Sequence, residues 1–192
     1  MKKIHDFDQV FDSQKLYRIL LDAFANPGRE ISIRQFADKM YGTHPDFLAV
    51  AMTLLDNEVS FYTCGEKELA EQITSLTLSR EETVEEADFL FVPDVKQLAD
   101  LMEKVKCGTL KDPQKSATLF LRADGTERKY FRLMGPGVPT EDCKWLPAAA
   151  EYALKIRAQQ EYEYPQGVDL VLITEDGLLS ALPRLVSMKE VF

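Results

Sequence analysis

Ser116-Ala-Thr-Leu-Phe-Leu-Arg122-Ala-Asp124-Gly125-Thr-Glu-Arg128-Lys-Tyr-Phe-Arg132-Leu-Met-Gly135-Pro136-Gly137 is the stretch from which the fold is read. Two runs rich in aromatic and branched residues flank Asp124-Gly125, a dipeptide suited to the positive φ of a tight turn. The pattern predicts a hairpin. Phe120 to Arg122 and Lys129 to Leu133 place bulky residues at alternate positions, which predicts one core-facing side per strand. The exit through Gly135-Pro136-Gly137 supplies a backbone able to turn sharply and lie close to another segment or to a ligand.

Upstream, Phe89-Leu90-Phe91-Val92 is a compact apolar run closed by Pro93, the mark of a buried central strand. Val59 to Cys64 reads as another strand. Helices are predicted around them. Ser13 is the expected N-cap of the first, with Leu16, Tyr17, Leu20, Leu21 and Phe24 at helical spacing and Asn26-Pro27-Gly28 as its stop. Pro45 opens a second helix carrying Phe47, Ala51, Leu54 and Leu55, and Leu69, Ile73 and Leu76 mark a third. Asp94 caps a fourth, expected to run to Gly108, and Pro147 opens a last one with Leu146, Ala150, Ala153 and Leu154 on its inner face. Val168 to Ile173, Glu175-Asp176-Gly177 and Leu178 to Leu182 form a second hairpin. The sum is an α/β protein with a mixed β-sheet flanked by helices, in a single domain over residues 1–192.

Charge and cysteine usage exclude several classes. Residues 66 to 103 hold eleven acids against three bases, so nearly all of the net charge of −9 sits there. Such a sector repels phosphate backbones and excludes nucleic acid as a partner; it suits solubility or a basic partner protein. No apolar run reaches the roughly 20 residues that cross a bilayer, and Met1-Lys2-Lys3-Ile4 lacks the apolar stretch of a secretory signal. Cys64, Cys107 and Cys143 are odd in number and far apart, which points to reduced thiols and a cytoplasmic protein and away from a zinc site.

Chemistry-bearing motifs are sparse. His5 and His44 are the only histidines. A Walker loop is absent, and Gly135-Pro136-Gly137 lacks the third glycine and the following helix of a dinucleotide fingerprint. No metal ligand set or cofactor is expected. Asp169 heads the apolar run Val168-Asp169-Leu-Val-Leu-Ile, where an acid needs a partner. Arg184, in Leu182-Pro183-Arg184, is the candidate partner or an anion grip, with Arg157, Arg132 and Arg18 as further candidates. Trp145 reads as core or subunit interface.

In order along the chain, Gln14-Lys-Leu-Tyr-Arg18 through Asn26-Pro27-Gly28-Arg29, Thr53-Leu-Leu-Asp56-Asn-Glu58, Ala117-Thr-Leu, Leu133-Met-Gly135-Pro136-Gly137-Val138, Tyr164-Pro-Gln-Gly167-Val-Asp169 and Leu182-Pro183-Arg184 resemble the PhnH family. That family is the H subunit of the carbon–phosphorus lyase core complex. The resemblance runs from about residue 10 to 190. Thr77-Leu78-Ser79-Arg80 stands where the family has an Arg-Phe-His-Thr-like patch, Lys144-Trp145 replaces a Phe-Trp pair, and Leu185 replaces a threonine.

The resemblance implies a fold like that of pyridoxal-phosphate-dependent transferases without the cofactor, a homodimer in isolation, and assembly with sister G, I and J subunits. That assembly displaces the adenine of MgATP with a phosphonate to give a ribose 1-phosphonate 5-triphosphate. The radical iron–sulfur J subunit then breaks the C–P bond, and the I subunit carries the nucleosidase step with H in support. This chain is accordingly expected to be an accessory, non-catalytic subunit of the transferase–lyase complex, inactive alone. The alternative is a subunit that binds the phosphonate or nucleotide triphosphate intermediate directly, through Arg132, Gly135, Pro136, Gly137, Asp169 and Arg184. A third reading is an unrelated stand-alone α/β enzyme.

Overall fold

The computed structural model describes residues 5–139 and 143–190; the Met1–Ile4 stretch read above lies outside them. The chain runs α1 (Phe11–Ala25), β1 (Ile31–Ser32), α2 (Arg34–Ala37), α3 (Pro45–Leu54), β2 (Ser60–Tyr62), α4 (Lys67–Thr77), β3 (Arg80–Glu81) and β4 (Phe89–Val92). A 3-10 turn over Val95–Gln97 leads into α5 (Leu98–Met102), and another over Pro113–Lys115 precedes β5 (Thr118–Arg122). Then follow β6 (Arg128–Met134), β7 (Cys143–Pro147), α6 (Ala148–Ala158), β8 (Asp169–Ile173), β9 (Leu178–Leu182) and β10 (Ser187–Glu190).

Seven strands form one mixed sheet in the order β1-β9-β8-β5-β4-β2-β3, parallel from β8 through to β3 and antiparallel at β8–β9 and β9–β1. A second, antiparallel sheet has the order β10-β6-β7. The central strands are buried on both faces, as parallel strands between two layers must be. Phe91, Phe120, Val171 and Ile173 point into a core shared with α1, α2, α3 and α4. Leu90, Leu119, Leu121, Leu170 and Leu172 point into the opposite core, closed by α5, α6 and the inner face of the small sheet.

The expected hairpin across Asp124-Gly125 does not form. β5 pairs in parallel with β4 and β8, whereas β6 pairs with β7 and β10 in the other sheet. Leu119, Phe120 and Leu121 are each fully buried, so β5 has no polar face and needs a strand on either side and a layer above and below. β6 does alternate as expected, with Phe131 and Leu133 buried and Tyr130, Arg132 and Met134 outward. Gly125, at φ +102, turns the chain from one sheet to the other. The second hairpin, β8 to β9 around Thr174–Gly177, forms as read, as does the buried β4.

Helix ends differ in detail. Asp8 rather than Ser13 caps α1, its carboxylate accepting from the backbone N–H of Val10 and Phe11 at 2.9 and 2.8 Å. Ser13 instead donates its hydroxyl to the Met52 carbonyl. The buried stripe of α1 is Leu16, Leu20 and Ala23, while Tyr17 and Leu21 face outward. The fourth helix stops at Met102, well short of Gly108, after a start capped by Asp94 as expected. β1, β3, β7, β10 and α2 are too short or too polar to show a period in the sequence.

Candidate functional site

Two regions gather charged side chains at opposite ends of the main sheet. At the carboxyl ends of β5 and β8 lies a crevice of about 880 Å³ bounded by α2, the start of α3, the loop after β5 and the β8–β9 turn. Ligands of open α/β sheets settle outside the carboxyl ends of parallel strands. Arg122 is its centre. The last residue of β5, it reaches Asp46 in the first turn of α3 with both terminal nitrogens, 2.6 Å each. Its carbon lies 5.0 Å from the centre of the Phe47 ring. The side chains are 12% and 6% exposed, so the pair is buried and ties α3 to the sheet.

His44 and Asp124 complete the cluster. His44 Nδ1 lies 3.5 Å from Arg122 Nη2, and a guanidinium only donates, so the imidazole presents Nδ1 as acceptor and keeps its hydrogen on Nε2. Burial pulls the His44 pKa down, and the neighbouring Arg122 charge adds to the effect. Burial pushes Asp124 the other way, up, against the pull of Arg122 at 3.8 Å. Arg128 is held by Glu30. Arg34 pairs with Asp38 at 4.0 Å, and Glu175 and Asp176 line the remainder, so the field of the crevice is acidic once these pairs are formed.

The residues singled out in the sequence gather mostly at the other end. Asp169 begins β8 and Arg184 follows β9, which the antiparallel pairing brings together. Asp169 Oδ1 accepts from the Arg184 backbone N–H at 2.7 Å, Oδ2 accepts from Nη2 at 2.6 Å, and Nη1 donates to the Pro113 carbonyl at 2.6 Å. The acid at the strand head thus has Arg184 as its partner. Gly135 packs beside this link: a Cβ there would sit 2.5 Å from the Leu185 carbonyl oxygen. Gly137 likewise faces the Ala25 carbonyl and Pro27, with Pro136 carried between the two. The close approach anticipated for Gly135-Pro136-Gly137 is made to protein segments. Arg132 is elsewhere, on the outer face of β6, and Arg18 is exposed on α1.

Sequence reading missed the Arg122–Asp46–His44 cluster. Its signals were an arginine ending an apolar run and an acid just inside a proline-started helix, each unremarkable alone. Trp145 is not core: it is 61% exposed on β7, opposite Tyr130 of β6, with ring centroids 5.2 Å apart. Met134, 44% exposed, lies further along the same face of β6. The three cysteines are free, and burial pushes the Cys64 thiol up to about 12, so it is not a thiolate nucleophile at neutral pH. Among the described residues no cluster of His, Cys, Asp and Glu could hold a metal, and no helix is long and apolar enough to cross a membrane.

This is a mixed α/β protein whose buried Asp46 and half-buried Asp169 are each paired with an arginine and whose small sheet turns an aromatic face outward. The model of the family described as bacterial phosphonate metabolism protein (PhnH) matches residues 5–189, and the chain belongs to that family. It is 28% identical over 172 residues to a putative C-P lyase subunit protein HtxG of Stutzerimonas stutzeri, covering 89% of this chain and 83% of that protein. It is 26% identical over 193 residues to the alpha-D-ribose 1-methylphosphonate 5-triphosphate synthase subunit PhnH of Rhizobium meliloti (strain 1021), covering 95% and 92%.

Proposed function

We propose that this chain is an accessory, non-catalytic subunit of a carbon–phosphorus lyase assembly, acting in the cytoplasm as one unit over residues 1–192. The observation that carries the reading is the Tyr130–Trp145 face of the small sheet, set on the scaffold of a family whose relatives are named as subunits. Exposed aromatic pairs are costly in water and are the commonest anchors of protein interfaces. A sister subunit covers this face in the assembly, with the G, I and J chains as the candidates. In their absence a second copy covers it, which accounts for the homodimer the family resemblance implies. The likeness to pyridoxal-phosphate-dependent transferases belongs to the same reading: a sheet of that kind kept as a platform, without the cofactor.

Co-expression with the sister subunits tests it. Trp145→Ser with Tyr130→Ser changes two exposed side chains, so the variant should keep the fold and lose only about 1–2 kcal/mol with the cross-strand ring pair, checked by its melting curve. It should fail to co-purify with the sisters. Undiminished co-purification at high salt and dilution would contradict the assignment of that face.

A second reading, in which the subunit itself holds the phosphonate or nucleotide, keeps one observation in its favour: Arg184 borders a cavity of about 440 Å³. Saturable heat on titrating the pure chain with MgATP and methylphosphonate would favour it. Silence in that titration favours the scaffold.

A further inference from the structure

The cavity of about 440 Å³ lies between the end of α6, the loop that follows it and the link joining β9 to β10. Among the described residues its lining holds three cations, Lys155, Arg157 and Arg184, and no carboxylate, in a chain of net charge −9. Its volume falls within the range of about 300 to 1,000 Å³ usual for small-molecule sites.

Arg157 is the unusual member. It is 6% exposed, and its guanidinium donates to the carbonyls of Leu182 at 2.6 Å, Val168 at 3.3 Å and Val186. Those bonds fix its position without neutralising it, and no carboxylate is within ion-pair distance among the described residues. Burial pulls its pKa down to about 10, with Asp169 acting in the opposite sense, so it stays charged at neutral pH. The hydroxyl of Tyr162, on the same cavity, is buried and has no hydrogen-bond partner among the described residues. Burial pushes that phenol up to about 12, leaving it a proton to donate. A buried cation with no carboxylate in contact among the described residues and a buried donor without an acceptor call for the same thing, a negatively charged oxygen. Leu154, Leu185 and Met188 supply an apolar part of the wall, Gln160, Gln166 and Ser187 a neutral polar part, and Tyr164 presents a ring that is 75% exposed.

We propose that this cavity binds a small organic anion, its phosphate-monoester or carboxylate head on Arg157 and Tyr162 and its apolar body against Leu185, Met188 and Tyr164. Lys155 and Arg184 border the site from within their own ion pairs, Lys155 with Glu151 and Arg184 with Asp169, so the uncompensated charge is that of Arg157. The site is independent of the docking face on the small sheet and uses none of its residues.

Calorimetric titration of the full chain with phenyl phosphate, benzoate, inorganic phosphate and benzylamine tests it. Phenyl phosphate or benzoate, or both, should bind saturably, the better of the two identifying the head group. Inorganic phosphate should bind more weakly than phenyl phosphate, and benzylamine not at all. Loss of Arg157 would also loosen three strand ends, so the variants are chosen elsewhere. Tyr162→Phe removes only the hydroxyl and should weaken binding about tenfold with an unchanged melting temperature. Ser187→Glu, at an exposed position on the lining, sets a like charge against the ligand and should weaken it at least as much. The proposal is overturned if neither aromatic anion binds below about 10 mM, if benzylamine binds as well as they do, or if both variants bind like the parent.

Discussion

Arg122 shows how one side chain decides what a site is. Its partner Asp46 is buried with it, and a buried pair is worth little against an apolar pair yet costs a great deal when half of it is removed. Arg122→Met alone should therefore lower stability to urea by about 3–5 kcal/mol. Adding Asp46→Leu should recover much of that loss, which a double-mutant cycle measures directly. His44 reports on the same cluster through pH. Its folded pKa lies below its ordinary value of 6.5, so below that value the unfolded chain takes up the proton more readily than the folded one. The stability contributed by neutral His44 is present above about pH 6.5 and is lost as pH falls through the folded pKa. His44→Gln should flatten that part of the loss, read as the urea midpoint across the acid range. Asp169 was legible as an acid needing a partner because it heads an apolar run. Asp46 was not, since an acid in the first turn of a helix is ordinary on any surface.

Among elements, β5 carries the most. It joins the two halves of the parallel sheet, and Phe120 lies 5.4 Å from Phe91 and 6.4 Å from Phe89, ring against ring. Phe120→Ala should cost about 3–5 kcal/mol by the lost burial and the cavity left behind, measurable by chemical denaturation. β5 is also where sequence reading went astray. Asp124-Gly125 between two strands is a strong local signal for a hairpin, and the local signal lost to burial. Phe89-Leu90-Phe91-Val92 was read correctly because the same continuous apolar run had no neighbouring strand to suggest a hairpin. α6, α3 and the β8–β9 hairpin were legible from apolar spacing and from Gly177. β7 and β10 were not, because they exist only as partners of β6, and pairing of that range leaves no mark in a single sequence.

Across the molecule, charge and apolar surface are segregated. The acidic stretch builds α4, β3, β4 and α5 at the β3 edge of the sheet, where a two-residue strand with charged side chains guards against pairing with another sheet. The aromatic face of the small sheet belongs to a different part of the fold. An assembly using both would set a basic sister against the first and an apolar one against the second. Lys or Arg substitutions at Glu68 and Glu71, both exposed on α4, should slow association with a basic partner and leave the melting temperature near that of the parent, as surface plasmon resonance at low salt would show. In the proposed reading, the chain's part in phosphonate metabolism rests on its surfaces. Phosphorus NMR on MgATP and methylphosphonate tests this most directly, with this chain alone, the sister subunits without it, and all of them together. The account predicts new phosphorus signals at an appreciable rate only in the third sample. Turnover by the isolated chain, or full turnover by the sisters without it, would contradict it.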